Sequence, residues 1–292
     1  MEKFGSQSMV RPLRRVLMRR PGPSLHAADP GQWHYGPTFD PAKAIDQYAR
    51  FAGLVAASGS DIVWMDDTGD GLADAMFTHD PSLVSNAGAI LLNMGKPLRH
   101  AEVDAHAHAY RTAHVPVLGR IASPGTVEGG DCVWLDDKTL IVGRGVRTNE
   151  AGIAQLRTML APHGVEVLGF DLPLWQGEAA CLHLMSVISP LDDDLALVFA
   201  PLLPAPFYQL LKSRGIALIE APEAEFLASN GLSLNVLATA PREAIMIDGF
   251  DATRRAMEAA GCRVETFTGD ALCIACEGGP TCLTRPILRQ AA

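Results

Sequence analysis

The chain has 292 residues, of which 48% are hydrophobic and 20% charged, so it can bury a large core as one large domain or two small ones. Its 24 lysines and arginines are outnumbered by 33 aspartates and glutamates, and the net charge of -9 argues against nucleic acid or an anionic membrane as the main partner. No apolar run reaches the roughly 18 residues that a membrane-spanning helix needs. A small molecule is the expected ligand.

The N-terminal region is basic but does not resemble a targeting peptide, because it has no uninterrupted apolar stretch. We predict that residues 1–10 form a disordered tail and that "RRVLMRR", residues 14–20, is the first strand. The six cysteines do not have the spacing of a secreted disulfide framework. We therefore expect a cytoplasmic protein.

A helix followed directly by a strand recurs along the chain. Asp40 and Pro41 are a good start for a helix that ends at Gly59, and "DIVWM" follows as a strand. Asn149 and Asp251 can cap two later helices in the same way. The helix and strand pairs that complete the pattern are "AEVDAHAHAYRTAH" with "VPVLGRI", the helix after Asn149 with "VEVLGF", "PFYQLLKSRG" with "IALIEA", and "ATRRAMEAAG" with "CRVETF".

The turns between these helices and strands fall at Gly59, His114, Gly164, Gly215 and Gly261, which are 55, 50, 51 and 46 residues apart when subtracted in turn. Short apolar segments such as "AMFTHD" and "CVWLDD" supply further strands. One such unit cannot bury both faces of its sheet, so five should pack as a closed ring. The competing fold is a doubly wound sheet, which should carry a glycine-rich phosphate-binding turn after an early strand, and the sequence has none.

Polar residues fall at similar places in the five units. A ring would bring them together near its axis, where a cysteine could act as nucleophile, a histidine could carry a proton and carboxylates could bind a cation. Each residue alone has an ordinary interpretation as a core side chain or a turn. As a set they indicate covalent catalysis on a positively charged group, and they are Asp80, Glu128, His183, Asn230 and Cys282.

Five motifs in this order, "FTHDP", "EGGD", "RTN", "LHL" and "GGPTCLT", resemble the guanidino-group-modifying penteins, and most of all the dimethylarginine dimethylaminohydrolases. The resemblance extends over nearly the whole chain. It implies an α/β fold, a five-bladed α/β propeller, and a single catalytic domain over residues 1–292. That fold agrees with the ring that the repeat predicts.

The resemblance also implies roles for individual residues. Cys282 would be the nucleophile, His183 the general acid and then base, and Glu128 the carboxylate that orients the histidine. The reaction would be hydrolysis of a substituted guanidino amino acid, such as dimethylarginine to citrulline and dimethylamine, through a covalent thiouronium, with no cofactor and no metal. Asp80 would bind the guanidinium, Arg99 and Arg147 would bind the α-carboxylate of the substrate, and Asp74 would be a further substrate contact.

Two positions bear on the substrate. Arginine deiminases and amidinotransferases usually carry an aspartate two residues after the histidine, and here that position is Met185, which favours a substituted guanidine. The family commonly has a glutamate before the aspartate of "FTHDP", whereas this chain has His79, which we place among the substrate contacts and which leaves the substrate open. An arginine deiminase, an amidinotransferase and a ring used only for binding stay as alternatives.

Three further features were interpreted from the sequence. "CIAC" at residues 273–276 has the spacing of half a metal site, but a second pair is missing, so we expect these thiols to line the strand that leads to Cys282. Residues 25–40 are long enough to form a flap over the site. A homodimer is left open.

Overall fold

Five three-stranded sheets make up the described part of the chain in this computed structural model, which describes residues 3–177 and 180–290. Each sheet is one blade of the ring, and four blades use strands that follow one another in sequence. The strands are β1 Leu13–Arg19, β2 Asp61–Met65, β3 Ser82–Ser85, β4 Gly88–Leu91, β5 Val117–Arg120, β6 Cys132–Asp136, β7 Thr139–Arg144, β8 Glu166–Asp171, β9 Ile188–Asp192, β10 Leu195–Val198, β11 Ala217–Glu220, β12 Leu237–Ala240, β13 Glu243–Ile247, β14 Arg263–Phe267 and β15 Arg285–Arg289.

The blades share one connectivity. In blades such as β6-β7-β8, the first two strands are antiparallel and the third is parallel to the second. A parallel pair needs a crossover connection, and the helices supply it. The remaining blade is β15-β1-β2, in which the last strand of the chain pairs antiparallel with the first. The chain therefore closes its ring with both ends in one sheet.

Eight helices are described, five of them longer than the rest. Asp40 caps the first long helix by accepting bonds from Ala42 N and Lys43 N, and Asn149 caps another by accepting from Gly152 N, as predicted. The helices are α1 Pro23–His26, α2 Pro30–Trp33, α3 Pro41–Ala57, α4 Glu102–Thr112, α5 Glu150–Leu160, α6 Ala205–Ser213, α7 Glu223–Ala228 and α8 Asp251–Ala259.

The cap of α8 differs from the prediction. Asp251 is already inside the helix, and the residue before it is Phe250, whose side chain has no acceptor for the amides of the first turn. The carboxylate of Glu225 does so instead, accepting from Ala252 N and Thr253 N at 2.8 Å each. A side chain from a different helix thus satisfies these amides, a relationship that local sequence does not reveal.

The five predicted turn positions share one backbone conformation. Gly59, His114, Gly164, Gly215 and Gly261 all have a positive φ, between 57° and 88°. A left-handed residue commonly ends a helix, and glycine adopts it without strain. His114 shows that the second unit, which has no glycine there, uses the same turn. This agreement supports the fivefold repeat.

Three expectations about elements were wrong in detail. "AMFTHD" is not a strand, since Ala73–Met76 is a 3₁₀ turn and the strand begins only at Ser82. The cysteines at 273 and 276 lie on a helical turn and just after it, not on a strand. The described part of the predicted tail is packed against the ring, with Gly5 N donating to Ile287 O at 2.8 Å and Val10 buried. Residues 1–2 lie outside the described part.

The core lies between the blades and the helices that cover them. α3 shows the pattern, because Tyr48, Phe51 and Val55 recur at helical spacing and are all buried. Phe51 packs on Phe267 of β14 with ring centroids 5.0 Å apart. In the described part of the chain we find no helix with the length and hydropathy needed to cross a membrane.

Candidate active site

The candidate residues lie in the loops that lead into the first strand of each blade. Glu128 comes shortly before β6, and His183 shortly before β9. The corresponding entries to the other blades carry Asp80 before β3, Asn235 before β12 and Cys282 before β15. Because equivalent ends of the blades meet around the axis, residues that lie two hundred positions apart become neighbours.

His183 and Glu128 form a bonded pair. The imidazole Nε2 lies 2.8 Å from Glu128 Oε2, and the carboxylate is fully buried. The other carboxylate oxygen, Oε1, accepts bonds from Gly95 N at 2.9 Å and Lys96 N at 3.1 Å. Glu128 is therefore fixed by backbone amides on one side and orients the imidazole with the other.

The environment of this pair favours an imidazolium beside a carboxylate. Burial by itself lowers the pKa of His183, but Cys181, Asp131 and Glu128 together raise it well above its ordinary value. Burial raises the pKa of Glu128, yet the bond to His183 and its charge outweigh burial and bring the pKa below its ordinary value. His183 is therefore protonated at neutral pH before a substrate arrives.

Cys282 is held by an asparagine. Asn235 Nδ2 lies 3.2 Å from Cys282 Sγ, and Asn235 Oδ1 accepts from Thr281 N at 3.0 Å. A Cβ on Gly279 would come within 2.5 Å of Asn235 Cγ, so only glycine permits this approach. Burial and the charge of Asp80 raise the pKa of Cys282, while Asn235 and His183 lower it in part. The thiol is consequently neutral in the free protein.

The asparagine that lies in the site is not the one predicted. Asn230 was expected at the axis, but it is exposed, with φ of 52°, at the turn after α7. Asn230 lies only 15 residues after the turn at Gly215 and falls in the turn after α7, whereas Asn235 lies 20 residues after it, close to the offsets of 19 for His183 and 21 for Cys282. Asn235 occupies the expected place instead.

Both carboxylate oxygens of Asp80 accept a hydrogen bond within the protein. Oδ1 accepts from Gly130 N at 3.0 Å, and Oδ2 receives Arg99 Nη1 at 2.7 Å. Burial raises the pKa of Asp80, but Arg99 and His183 lower it below the ordinary carboxylate range. Asp80 therefore stays ionised and close to both His183 and Cys282, where it can stabilise a cation.

Arg99 differs from its predicted role as a contact for a substrate carboxylate. Its guanidinium is 6% exposed, and Nε and Nη2 donate to Glu102 while Nη2 also donates to Phe77 O at 2.9 Å. With Asp80 bound as well, almost every donor already has a protein acceptor. The structure thus places Arg99 behind Asp80 as its counterion.

Asp74 lies in a second ion pair near the site. Lys96 Nζ is 2.7 Å from Asp74 Oδ2, and the hydroxyl of Tyr35 donates to Asp74 Oδ1 at 2.9 Å. The ammonium group also lies 5.3 Å from the centre of the Trp33 ring. Trp33 and Tyr35 belong to the predicted flap, residues 25–40, and both are buried. This segment therefore covers Asp74 in the structure.

Arg147 is the more exposed of the two predicted arginines. Its Nη1 is 3.3 Å from Glu128 Oε1, and its side chain is 21% exposed. A Cβ on Gly95 would lie 2.8 Å from Arg147 Cα, so the chain around Arg147 runs directly beside the chain that carries Lys96. Arg147 is well placed to meet an anionic group of a ligand.

His79 points to an interior position. Its Nδ1 bonds Thr284 O at 2.8 Å, and the side chain is 2% exposed. It lines a small cavity of about 10 Å³ together with Met185, Thr281 and Pro286. Burial and Arg285 lower the pKa of His79 to about 3, so the ring is neutral. This placement does not support a substrate contact for His79.

Sequence reasoning missed three residues of this region. Asn235 could have been found by counting back from β12, whereas Lys96 and Cys181 lie in no recognisable motif.

Cys181 lies close enough to His183 and Glu128 that one donor atom of each falls within 4.8 Å of the others. Arg147 neighbours the same carboxylate at 3.3 Å, and its charge disfavours a metal ion there.

The arrangement combines a cysteine, a protonated histidine fixed by a buried carboxylate, and an ionised aspartate. These groups can attack an electrophilic carbon, protonate a leaving group and stabilise a cation, respectively. The fold is a five-bladed α/β propeller, and it brings Cys282, His183 and Glu128 together at one end of the ring.

Known proteins resemble this chain in sequence and in structure. The arginine deiminase family matches residues 66–206. The chain is 29% identical to an N(G),N(G)-dimethylarginine dimethylaminohydrolase of Streptomyces coelicolor over 237 residues, which is 81% of this chain and 86% of the relative. The chain is thus similar to the arginine deiminase family over residues 66–206 and to a dimethylarginine dimethylaminohydrolase over most of its length.

Two solved structures show the same fold. A dimethylarginine dimethylaminohydrolase from Pseudomonas aeruginosa, a cysteine-to-serine mutant complexed with citrulline, has a TM-score of 0.76 at 23% identity and covers 94% of this chain and 98% of its own. An amidinotransferase from Microseira wollei has a TM-score of 0.80 at 16% identity, with 100% and 98% covered. Both confirm the predicted propeller.

Proposed function

We propose that the chain is a hydrolase that cleaves a carbon-nitrogen bond in the guanidino group of an arginine-like amino acid. The observation that carries this proposal is the meeting of Cys282, the His183 and Glu128 pair, and ionised Asp80 at one end of the ring. A guanidinium is flat and cationic, so its charge complements Asp80 and its central carbon is open to attack by sulfur. We propose that residues 1–292 form a single catalytic domain.

The first chemical step begins with a neutral thiol. Binding of a cationic guanidinium beside Cys282 offsets the negative charge of Asp80, which otherwise raises the pKa of the thiol. The thiol then loses its proton to solvent, since His183 already carries its own. The sulfur then bonds to the guanidinium carbon while the bond from that carbon to one nitrogen breaks. His183 gives its proton to the departing amine, and a covalent thiouronium on Cys282 remains.

The second step restores the enzyme. His183 is now neutral and accepts a proton from water, whose oxygen bonds to the thiouronium carbon. The carbon-sulfur bond breaks as the added hydroxyl loses its remaining proton, and a proton returns to the Cys282 sulfur to restore the neutral thiol. The product leaves as a ureido amino acid. Glu128 keeps the imidazole in one orientation throughout and stabilises its protonated form.

The site favours a guanidine that carries a substituent. Two residues after His183 stands Met185, which lines the interior cavity and offers no second carboxylate. Asp131 is nearby but buried, accepting from Thr148 Oγ1 at 2.6 Å and Leu184 N at 2.9 Å. Neither residue offers a free carboxylate to an unsubstituted guanidine nitrogen. We propose dimethylarginine, hydrolysed to citrulline and dimethylamine, as the substrate.

The similar proteins support this choice and also the alternative. The Streptomyces relative is a dimethylarginine dimethylaminohydrolase, and the Pseudomonas structure contains citrulline. The match to the arginine deiminase family favours unmethylated arginine as the second candidate, with ammonia as the released amine. The fold shared with an amidinotransferase adds the option of transfer to an amine acceptor in place of water.

The deciding experiment is a turnover assay with dimethylarginine, monomethylarginine and arginine, in which citrulline and the released amine are both measured. We expect release of dimethylamine with no added acceptor, and its loss in Cys282→Ser. The control is Cys262→Ser, which replaces a buried cysteine at the start of β14 and should leave turnover unchanged. Full turnover by Cys282→Ser, or none by the wild type on any of the three, would exclude the proposal.

The cysteines and the site also bear on where the protein works and on what it binds. All six cysteines are unpaired, which supports a reducing cytoplasm. The predicted small-molecule partner is a guanidino amino acid, and a homodimer stays a prediction.

A further inference from the structure

We infer that the ion pair between Lys96 and Asp74 binds the amino-acid end of the substrate, with Lys96 on the carboxylate and Asp74 on the ammonium group. This inference rests on the proposed function and names a specificity-determining residue, Lys96, that lies in none of the motifs of the sequence analysis. It replaces Arg99 as a carboxylate contact. Arg147 keeps its predicted role and acts together with Lys96.

Lys96 has N–H donors that are free to bind a ligand, whereas the donors of Arg99 are nearly all bonded within the protein. The Lys96 side chain is 17% exposed and has one acceptor in the structure, Asp74 Oδ2 at 2.7 Å. An ammonium group has three donors, so two remain for a ligand. Arg99 is 6% exposed and is surrounded by Asp80, Glu102 and the carbonyl of Phe77. A ligand carboxylate can therefore reach Lys96 without breaking an internal network.

Lys96 lies next to the catalytic residues. Its backbone N–H donates to Glu128 Oε1, the same oxygen that Arg147 approaches at 3.3 Å. The chain at Gly95 touches the chain at Arg147, since a Cβ on Gly95 would lie 2.8 Å from Arg147 Cα. Two partly exposed cations thus come from adjacent segments beside the residue that orients His183. This neighbourhood attracts an anion.

Charge pairing explains why an ion pair suits this ligand. A free amino acid carries an ammonium and a carboxylate on one carbon. Lys96 can bind the carboxylate while Asp74 binds the ammonium, so the ion pair complements both charges at once. Tyr35 holds the second oxygen of Asp74, and Trp33 lies under the Lys96 ammonium. Both aromatic residues fix the direction of the pair and keep water away, which strengthens its attraction for a charged head group.

The test compares three guanidines that differ only at the head group: an arginine substrate, its counterpart without the carboxylate (agmatine), and its counterpart without the ammonium (5-guanidinopentanoate). Each is used in the methylation state that the wild type turns over. Lys96→Met should raise KM for the two carboxylate-bearing compounds about tenfold to hundredfold, the loss expected for a hydrogen bond between charged groups. The kcat/KM for agmatine should change by less than about threefold.

Lys43→Met is the matched control, because Lys43 is 69% exposed on α3 and should change neither value. Lys96→Arg should retain most of the affinity, since it keeps the charge. Should Lys96→Met unfold because it leaves Asp74 without its cation, the double variant Asp74→Asn and Lys96→Met removes both charges together and shows the same loss of preference for the zwitterion.

The outcomes separate this inference from the proposed function. Equal losses for agmatine and for the arginine substrate in Lys96→Met would overturn the role of Lys96 but leave the hydrolase in place. Loss of preference for the carboxylate in Arg147→Met alone, with none in Lys96→Met, would overturn it as well. Absence of turnover by the wild type would contradict the proposed function itself.

Discussion

Asn235 Nδ2 lies 3.2 Å from Cys282 Sγ and joins two neighbouring blades through one bond at the candidate nucleophile. The amide N–H favours the thiolate over the thiol because it donates to the negative sulfur. Asn235→Asp removes this donor and adds a negative charge beside it. We expect the rate of Cys282 alkylation by iodoacetamide near pH 8 to fall at least about tenfold, one pKa unit.

The control for this substitution is Asn230→Asp, an equal change at an exposed turn five positions earlier. It should leave alkylation unchanged. An unaltered rate in Asn235→Asp, measured at Cys282 by peptide mass spectrometry, would show that the bond to sulfur has no influence on the thiol.

Asp80 has the opposite electrostatic effect on the same thiol. Its negative charge disfavours the thiolate, and together with burial it raises the pKa of Cys282 above the ordinary thiol value. In the free protein, alkylation should rise with pH through a midpoint in the alkaline range. Asp80→Asn should move that midpoint to lower pH while abolishing turnover, since the guanidinium loses its counterion. A midpoint that rises or stays constant contradicts this assignment.

Substitution of Gly130 tests whether His183 and Asp80 must lie close to the backbone at this position. A Cβ there would lie 2.6 Å from His183 Nδ1 and 3.1 Å from Asp80 Oδ1. Gly130→Ala should displace the imidazole and lower kcat/KM by about a hundredfold or more, since small misplacements of catalytic groups have effects of that order. Circular dichroism should show an intact fold.

The matched substitution is Gly53→Ala, on an exposed face of α3 with nothing within 4 Å of the new methyl group. It should raise the free energy of unfolding by about 0.5–1 kcal/mol and leave kcat/KM unchanged. Equal effects of both alanines on activity would argue against a steric role for Gly130.

His79 makes stability depend on pH. Burial and Arg285 lower its pKa to about 3 in the folded protein, against 6.5 for an ordinary histidine. Between these values the unfolded chain binds one more proton, so stability rises with pH there and falls as the solution is acidified. His79→Asn, which can still donate to Thr284 O, should reduce this slope by about 1.4 kcal/mol per pH unit.

Urea unfolding between about pH 6 and pH 4.5 measures the slope. His106 has a pKa that burial and Arg285 lower to about 3 as well, so part of the acid sensitivity should persist in the variant. His108→Asn, on the exposed face of α4, serves as the control and should keep the full slope. The same slope in His79→Asn as in the wild type would show that His79 is not buried in its neutral form.

The repeat of helix, left-handed turn and strand could be predicted from sequence because each feature is local. Gly59, Gly164, Gly215 and Gly261 mark turns that glycine favours, and the ring follows from their spacing. Strands such as β3 and β12 were missed, since Ser82–Ser85 and Leu237–Ala240 are short and have no strong pattern.

The site was predictable only in its outline. Asp80, Glu128, His183 and Cys282 lie in motifs, and the structure brings them to one end of the ring. The partner of each was not predictable, because a bond such as Arg99 to Asp80 or Asn235 to Cys282 depends on how separate blades pack. Asn230 and Arg99 were misplaced for this reason, since offsets and motifs carry no information on side-chain direction.

Covalent bonding of the substrate to Cys282 is measured most directly by trapping it. In His183→Gly, a substrate whose leaving group is methanethiol, S-methylthiocitrulline, needs no proton donor to form the thiouronium, but its hydrolysis lacks the base. Peptide mass spectrometry should then find the added group on Cys282 and on no other cysteine. An unmodified Cys282, or the added group on the neighbouring Cys181, would contradict the proposed mechanism.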